Sequence, residues 1–145
     1  MSTQLTLAKS SPLFYATLLV AIGIIVVGIN FIFNPIGAGV GYGIASQSTE
    51  AIPYMWAKGV RDIFSGLVVI AFLVKGDRRS IGIVLATAIF IPVCDGLIIL
   101  NRLGLAAPLL IHWGTAFYMI VVTVLLFRVK GRADLPTKVV SAKRD

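Results

Sequence analysis

Four runs of apolar residues, Leu13 to Phe33, Pro53 to Val74, Ser80 to Leu100 and Ala106 to Phe127, dominate the chain, with polar residues gathered between them. The runs are 21, 22, 21 and 22 residues long, close to the roughly 20 that a bilayer-crossing helix needs. The ten-residue alternation of a membrane β-barrel is absent. The pattern therefore predicts an all-α fold: an integral membrane four-helix bundle occupying residues 1–145 as one domain, with helices near 13–33, 53–74, 80–100 and 106–127 and a basic tail at 128–145. Connections of five residues at Lys75 to Arg79 and at Asn101 to Leu105 force antiparallel neighbours and an up-down-up-down order. The first connection, Asn34 to Ile52, has 19 residues. Asn34-Pro35 ends the first helix, and the loop is expected to form a flexible or re-entrant cap on the bundle.

Composition agrees with the pattern, since 58% of the 145 residues are hydrophobic and the mean hydropathy is +0.96. The net charge of +7 raises the question of nucleic acid, and position answers it. Lys9, Lys75, Arg78, Arg79, Arg128 and the basic residues of the tail fall on the N-terminus, the second loop and the C-terminus, leaving Lys58, Arg61 and Arg102 for the other side. The positive-inside rule then makes both termini cytoplasmic, and a bacterial cytoplasmic membrane is the expected location. The basic tail is read as a topology signal with weak attraction to anionic lipid. The first run exceeds the h-region of a signal peptide, so it is expected to remain as a helix. Cys94 is the single cysteine, which excludes an internal disulfide and leaves a buried thiol as the expectation. A bundle this small has a limited interior, which makes a homodimer or a partner subunit plausible.

Charge inside the second run is the feature that points to chemistry. Lys58, Arg61, Asp62 and Ser65 stand at i, i+3, i+4 and i+7 and share one helical stripe. Ionisable groups in hydrocarbon cost roughly 2.5–3.5 kcal/mol each on insertion scales, so the stripe is expected to face protein or a watered cavity. On the first helix Gly23, Val27, Asn30 and Asn34 form a small and polar stripe suited to close helix approach. Asp95 is the charge of the third run and His112 the ionisable group of the fourth. At 1.5 Å per residue, Lys58 to Asp62, Asp95 and His112 all lie about 8–14 Å from the outer ends of their helices. Pro92, one turn before Asp95, is expected to loosen its helix. Tyr54 and Trp56 fit the aromatic belt, and Arg102 an interface anchor.

Several readings of this constellation stand side by side. Asn30, Asn34, Lys58, Arg61 and Asp62 would bind a small or lipid-like ligand, the basic pair suiting an anionic headgroup or a quinone carbonyl. Asp95 and His112, as a carboxylate-imidazole pair, would perform acid-base catalysis on a lipophilic substrate, of the isomerase or cyclase type. A small proton-coupled carrier is disfavoured, because the inner halves of the helices lack ionisable groups to relay a proton. In the purely structural alternative, the charges pair to lock the second helix to the third. A transition metal is not expected from one histidine and one cysteine. The glycines at 37, 39, 41 and 43 miss the spacing and the strand of a nucleotide-binding fingerprint.

The segment Lys58-Gly59-Val60-Arg61-Asp62-Ile63-Phe64-Ser65-Gly66, a K-G-x-R-D-x-x-x-G pattern, follows Asn34-Pro35 and precedes Pro92, Asp95 and His112. With these it resembles a bacterial and fungal family of small four-helix membrane proteins of unknown function, and more distantly the DoxX group. Relatives in that group are linked to quinone-coupled sulfur oxidation or to accessory membrane subunits. The resemblance implies no activity and maps no redox residue onto this chain.

Overall fold

The structure is a computed structural model that describes residues 6–45 and 48–128. The basic tail beyond Arg128 lies outside the described residues. Helix α1 (Pro12–Phe33) is followed by a short α2 (Pro35–Tyr42), a 3-10 turn (Thr49–Ala51), α3 (Ile52–Lys75), α4 (Arg78–Ala88), α5 (Phe90–Leu103) and α6 (Ala107–Arg128). Three stretches, Pro12–Phe33, Arg78–Leu103 and Ala107–Arg128, are long and apolar enough to cross a membrane. The protein is thus all-helical over its described residues and fits an integral membrane protein. Helix α3 is long enough at 24 residues, yet every stretch of about 20 within it that a span requires holds Lys58, Arg61 and Asp62.

Local chemistry sets the ends of these helices. Ser11 caps α1 by accepting from Leu13 N at 3.2 Å, with Pro12 at the first helical position. Asp77 caps α4 by accepting from Ser80 N at 3.0 Å and Ser80 Oγ at 2.6 Å. These bonds to the ionised form hold its carboxyl below the usual carboxylate range. Between α3 and α4 the chain turns through Gly76 at φ 69°, a left-handed conformation that a side chain would strain. Leu7 N donates to Gly76 O at 2.9 Å and ties the N-terminal segment to this turn.

Two departures from the sequence pattern have identifiable causes. Where one helix was expected at 80–100, the helix breaks at Ile89 into α4 and α5. Pro92 lacks the N–H that would bond Ala88, and Val93 N reaches Ile89 O at a long 3.3 Å. Where a loop was expected after Asn34, eight residues form α2, because Asn34 accepts from Gly37 N at 3.2 Å, Pro35 starts the helix and Gly43 closes it at φ 98°. Alternating glycines had hidden the signal.

Packing divides the molecule unevenly. The most extensive contact joins α1 to α3, while α6 lies along both α4 and α5. Glycine permits the close approach of α1 and α3: a Cβ at Gly59 would stand 2.6 Å from Gly28 O, and one at Gly66 would stand 2.6 Å from Ala21 O. The stripe of α1 that meets α3 is therefore Ala21, Gly28 and Phe31. Gly23, expected to pack, has no atom within 4 Å of a Cβ position, and Asn30 is exposed. On the other side Gly82 receives the Phe127 ring and Gly96 the Trp113 indole. Tyr118 Oη donates to Ala16 O at 3.1 Å, joining α6 to α1. Between them Leu73, Ile81, Leu85 and Leu126 are fully buried, and the outer surface carries Leu19, Val26, Phe64, Leu110 and Phe117, as a lipid-facing exterior requires.

Buried Thr123 has a hydroxyl without a hydrogen-bond partner. Thr123→Val keeps the shape and removes the orphan group, so it is expected to stabilise by about 1 kcal/mol. Unfolding by sodium dodecyl sulfate, followed by circular dichroism, measures this, and a lower midpoint in the variant contradicts it.

Candidate functional site

Helices α3 and α5 converge only through α4 at the basic end of the molecule, and a cavity of about 630 Å3 opens between them at the other end. Its polar lining is Tyr54, Lys58, Arg61, Asp62 and Ser65 from α3, Asp95 from α5 and Tyr42 from α2. Phe64, Met55, Ile91 and Ile98 supply apolar walls. The i, i+3, i+4, i+7 stripe thus lies on one wall, and its neighbour in phase, the Gly59 and Gly66 face, lies against α1. One K-G-x-R-D-x-x-x-G segment carries both functions.

Lys58 is held on every side. Its Nζ donates to Asp62 Oδ2 at 2.5 Å and sits 4.6 Å from the centroid of the Phe31 ring and 4.5 Å from that of Tyr42. The two side chains of the pair are 18% and 12% exposed. Among the described residues this is the one ion pair, and it lies within α3. The expected lock between the second and third helices by charge pairing is not formed. Ser65 Oγ donates back to Arg61 O at 2.8 Å. The Arg61 guanidinium, exposed on the cavity wall, makes no ion pair or hydrogen bond with any described residue.

Tyr42 joins the parts. Burial pushes its hydroxyl well above the usual phenol range, and the neighbouring Asp95 carboxylate, followed by Asp62, pushes it further the same way. Tyr42 packs edge-on against Phe31, with centroids 5.7 Å apart, and against His112, 4.4 Å apart. His112 is buried, and its Nε2 lies 3.0 Å from Tyr42 O, so the nitrogen that carries the proton there donates to a carbonyl. No hydrogen bond or ion pair joins Asp95 to His112 among the described residues.

Of the residues that the sequence nominates, Lys58, Arg61, Asp62 and Asp95 meet around one cavity. His112 stands behind it, fastening α2. Asn34 is spent on capping α2, and Asn30 points away from the cavity on the exposed side of α1. Tyr42 and Phe31 were missed. An aromatic residue between Gly41 and Gly43 in an otherwise featureless loop was the available signal for the first. Trp56, assigned to the aromatic belt, also donates to Ile32 O at 3.2 Å, satisfying a carbonyl in the last turn of α1. Cys94 is free and half-buried, not fully enclosed. No group of three or more potential metal ligands occurs among the described residues.

Comparison with curated proteins and with solved structures finds no match. A family model does match, over residues 21–126, from the middle of α1 to the last turn of α6 and across the whole cavity. The chain belongs to the family described as Domain of unknown function (DUF4267).

Proposed function

We propose that the cavity between α3 and α5 binds an amphiphile from the outer leaflet, a molecule with an anionic or hydrogen-bond-accepting head and an apolar tail. In this reading α3 is the fourth span of an up-down-up-down bundle with both termini cytoplasmic, as in a bacterial inner membrane. The observation that carries it is the unpaired Arg61 on the wall of an otherwise mostly apolar cavity. Lys58 and Asp62 neutralise each other, so Arg61 is the cation left to meet a ligand, and its fork suits a phosphate, a carboxylate or a quinone carbonyl. Where the head also carries a hydroxyl, Asp95 beside Tyr42 accepts from it. Phe64, Ile91 and Ile98 take the tail. A quinone would also accord with the distant DoxX resemblance.

The acid-base reading finds less support, because His112 bonds a backbone carbonyl and Asp95 faces Tyr42. For a carrier, no charged side chain stands between the cavity and the basic end on any helix. A homodimer or a partner subunit would seat on the open face of α1 at Gly23, Val27 and Asn30.

Native mass spectrometry of protein extracted with its own lipids tests the proposal and reports subunit count in the same spectrum. The wild type is expected to carry a bound amphiphile, retained about tenfold less by Arg61→Gln, because one charge-assisted contact is lost. Having no hydrogen-bond or ion-pair partner among the described residues, Arg61 is replaceable without loss of fold, so the variant should melt with the wild type. An empty wild type that is also unmoved thermally by added phospholipids and quinones refutes the reading.

A further inference from the structure

Five side chains with polar atoms are buried among the described residues: Thr17, Asp62, Arg78, His112 and Thr123. Thr17 bonds Leu13 O, Asp62 bonds Lys58 and His112 bonds Tyr42 O. Arg78 is 4% exposed, yet its guanidinium has no hydrogen bond and no ion pair with any described residue. The group keeps its charge at any physiological pH, and its nitrogens are not sealed in: among the described residues Thr123 Oγ1 is the one enclosed side-chain polar atom without a partner, so the guanidinium tip reaches the surface, where a ligand can meet it.

The protein holds little that could pair with it. Of the six acidic residues, Glu50, Asp62 and Asp95 stand on the opposite side of the bundle, toward the cavity end. Asp77, next in sequence, gives one oxygen to Ser80 N and the other to Ser80 Oγ. Asp134 and Asp145 belong to the tail. The neighbours of Arg78 are of its own sign: Lys75 and Arg79 flank it in sequence, while Lys9 precedes α1 and Arg128 ends α6. The bond from Leu7 to Gly76 and the seat of Phe127 on Gly82 bring these termini to the end where Arg78 lies. Arg78 is also the first residue of the 26-residue stretch that can cross a membrane, which sets it at the level of lipid headgroups.

We infer that Arg78 is the core of a second ligand site, independent of the α3–α5 cavity, and that it binds a phosphate group presented by an anionic membrane lipid. The guanidinium fork matches two phosphate oxygens. Lys9, Lys75, Arg79 and Arg128 draw anionic headgroups to this end without fixing their position. Arg78 fixes it.

Full-length protein in phosphatidylcholine nanodiscs, with and without phosphatidylglycerol, tests the site by native mass spectrometry and thermal melting. The wild type should retain phosphatidylglycerol and melt higher in its presence. Arg78→Gln is expected to retain about tenfold less and to lose the lipid-dependent rise. In phosphatidylcholine alone it should melt with the wild type, because no pairing with a described residue is lost. Arg79→Gln, an equal change in net charge, should behave as the wild type. If Arg78→Gln does not fold, Arg78→Lys, which keeps the charge and loses the fork, is expected to weaken retention in the same direction. Equal loss in the Arg78 and Arg79 variants means a diffuse surface effect and overturns the site. A rise reproduced in full by inorganic phosphate in phosphatidylcholine makes the ligand a free anion and overturns the lipid. An Asp134→Asn/Asp145→Asn protein that is destabilised only when Arg78 is present, and is indifferent to phosphatidylglycerol, assigns the partner to the tail and overturns both.

Discussion

Gly59→Ala is expected to destabilise the protein by about 2–3 kcal/mol, the upper part of the range for overpacking a tight interface. The added methyl would stand 2.6 Å from Gly28 O and 2.9 Å from the Ile32 side chain. A side chain can rotate away, but the carbonyl belongs to the backbone of α1, so the helices themselves must separate. Gly66→Ala meets Ala21 O in the same way two turns further along. The double variant should lose most of the α1–α3 contact. What makes this a sharp test is the sign of the intrinsic effect, since alanine is the better helix former by up to about 1 kcal/mol. At Gly23 and Gly114 a Cβ meets nothing within 4 Å, and alanine there should leave stability unchanged or raise it. Unfolding midpoints in mixed micelles distinguish the two classes. Similar behaviour at Gly59 and Gly23 would show that α1 and α3 do not approach as closely as this fold requires.

That contrast also marks the limit of what could be read from the chain. Helices α1, α3 and α6 end within a residue of the apolar runs at 13–33, 53–74 and 106–127, because the length of an apolar run is a one-dimensional property, whereas the run at 80–100 hides a break. Depth along a helix is also one-dimensional, and of the residues it groups at one level, Lys58, Arg61, Asp62, Asp95 and His112, all but His112 line one cavity. Rotation is different. Gly23 and Gly28 are about 140° apart around α1 at 3.6 residues per turn, and nothing in α1 itself says which of them meets α3. The polar stripe with Asn30 was the natural choice, and it faces outward. The pairing of Lys58 with Asp62 at i, i+4 was legible as a spacing, whereas its aromatic shelter was not. Phe31 comes from α1, and Tyr42 comes from a segment whose course depends on Asn34 capping α2.

The site also shows how one sequence pattern divides its work. Lys58 and Asp62 are satisfied by each other, Lys58 by two rings as well, and Arg61 has no hydrogen bond or ion pair with any described residue. Substitution should therefore separate stability from binding within five residues of one helix. On the proposed function, Arg61 is the position where binding should fall and the fold survive. Lys58 and Asp62 are the positions where the fold itself suffers.

Asp62→Asn and Lys58→Met are each expected to cost about 3–5 kcal/mol, because either leaves a buried charge without its partner. Asp62 is 8% exposed, so water replaces the ammonium only in part. Conversely, the ammonium without Asp62 keeps only the faces of Phe31 and Tyr42, an attraction of about 2 kcal/mol at best. Replacing both residues, as Lys58→Met/Asp62→Leu, removes both charges and preserves apolar bulk, and it should recover most of the loss. A double-mutant cycle in the same micelle assay measures the coupling. Single variants within about 1 kcal/mol of the wild type would place the pair in the range of an exposed surface salt bridge and remove its role in holding the wall. A double variant that is stable yet no longer binds the amphiphile would assign the pair to the ligand as well, through the position of Tyr42 over Lys58. A double variant that is stable and still binds would leave recognition to Arg61 and Asp95, the division of labour that the geometry supports.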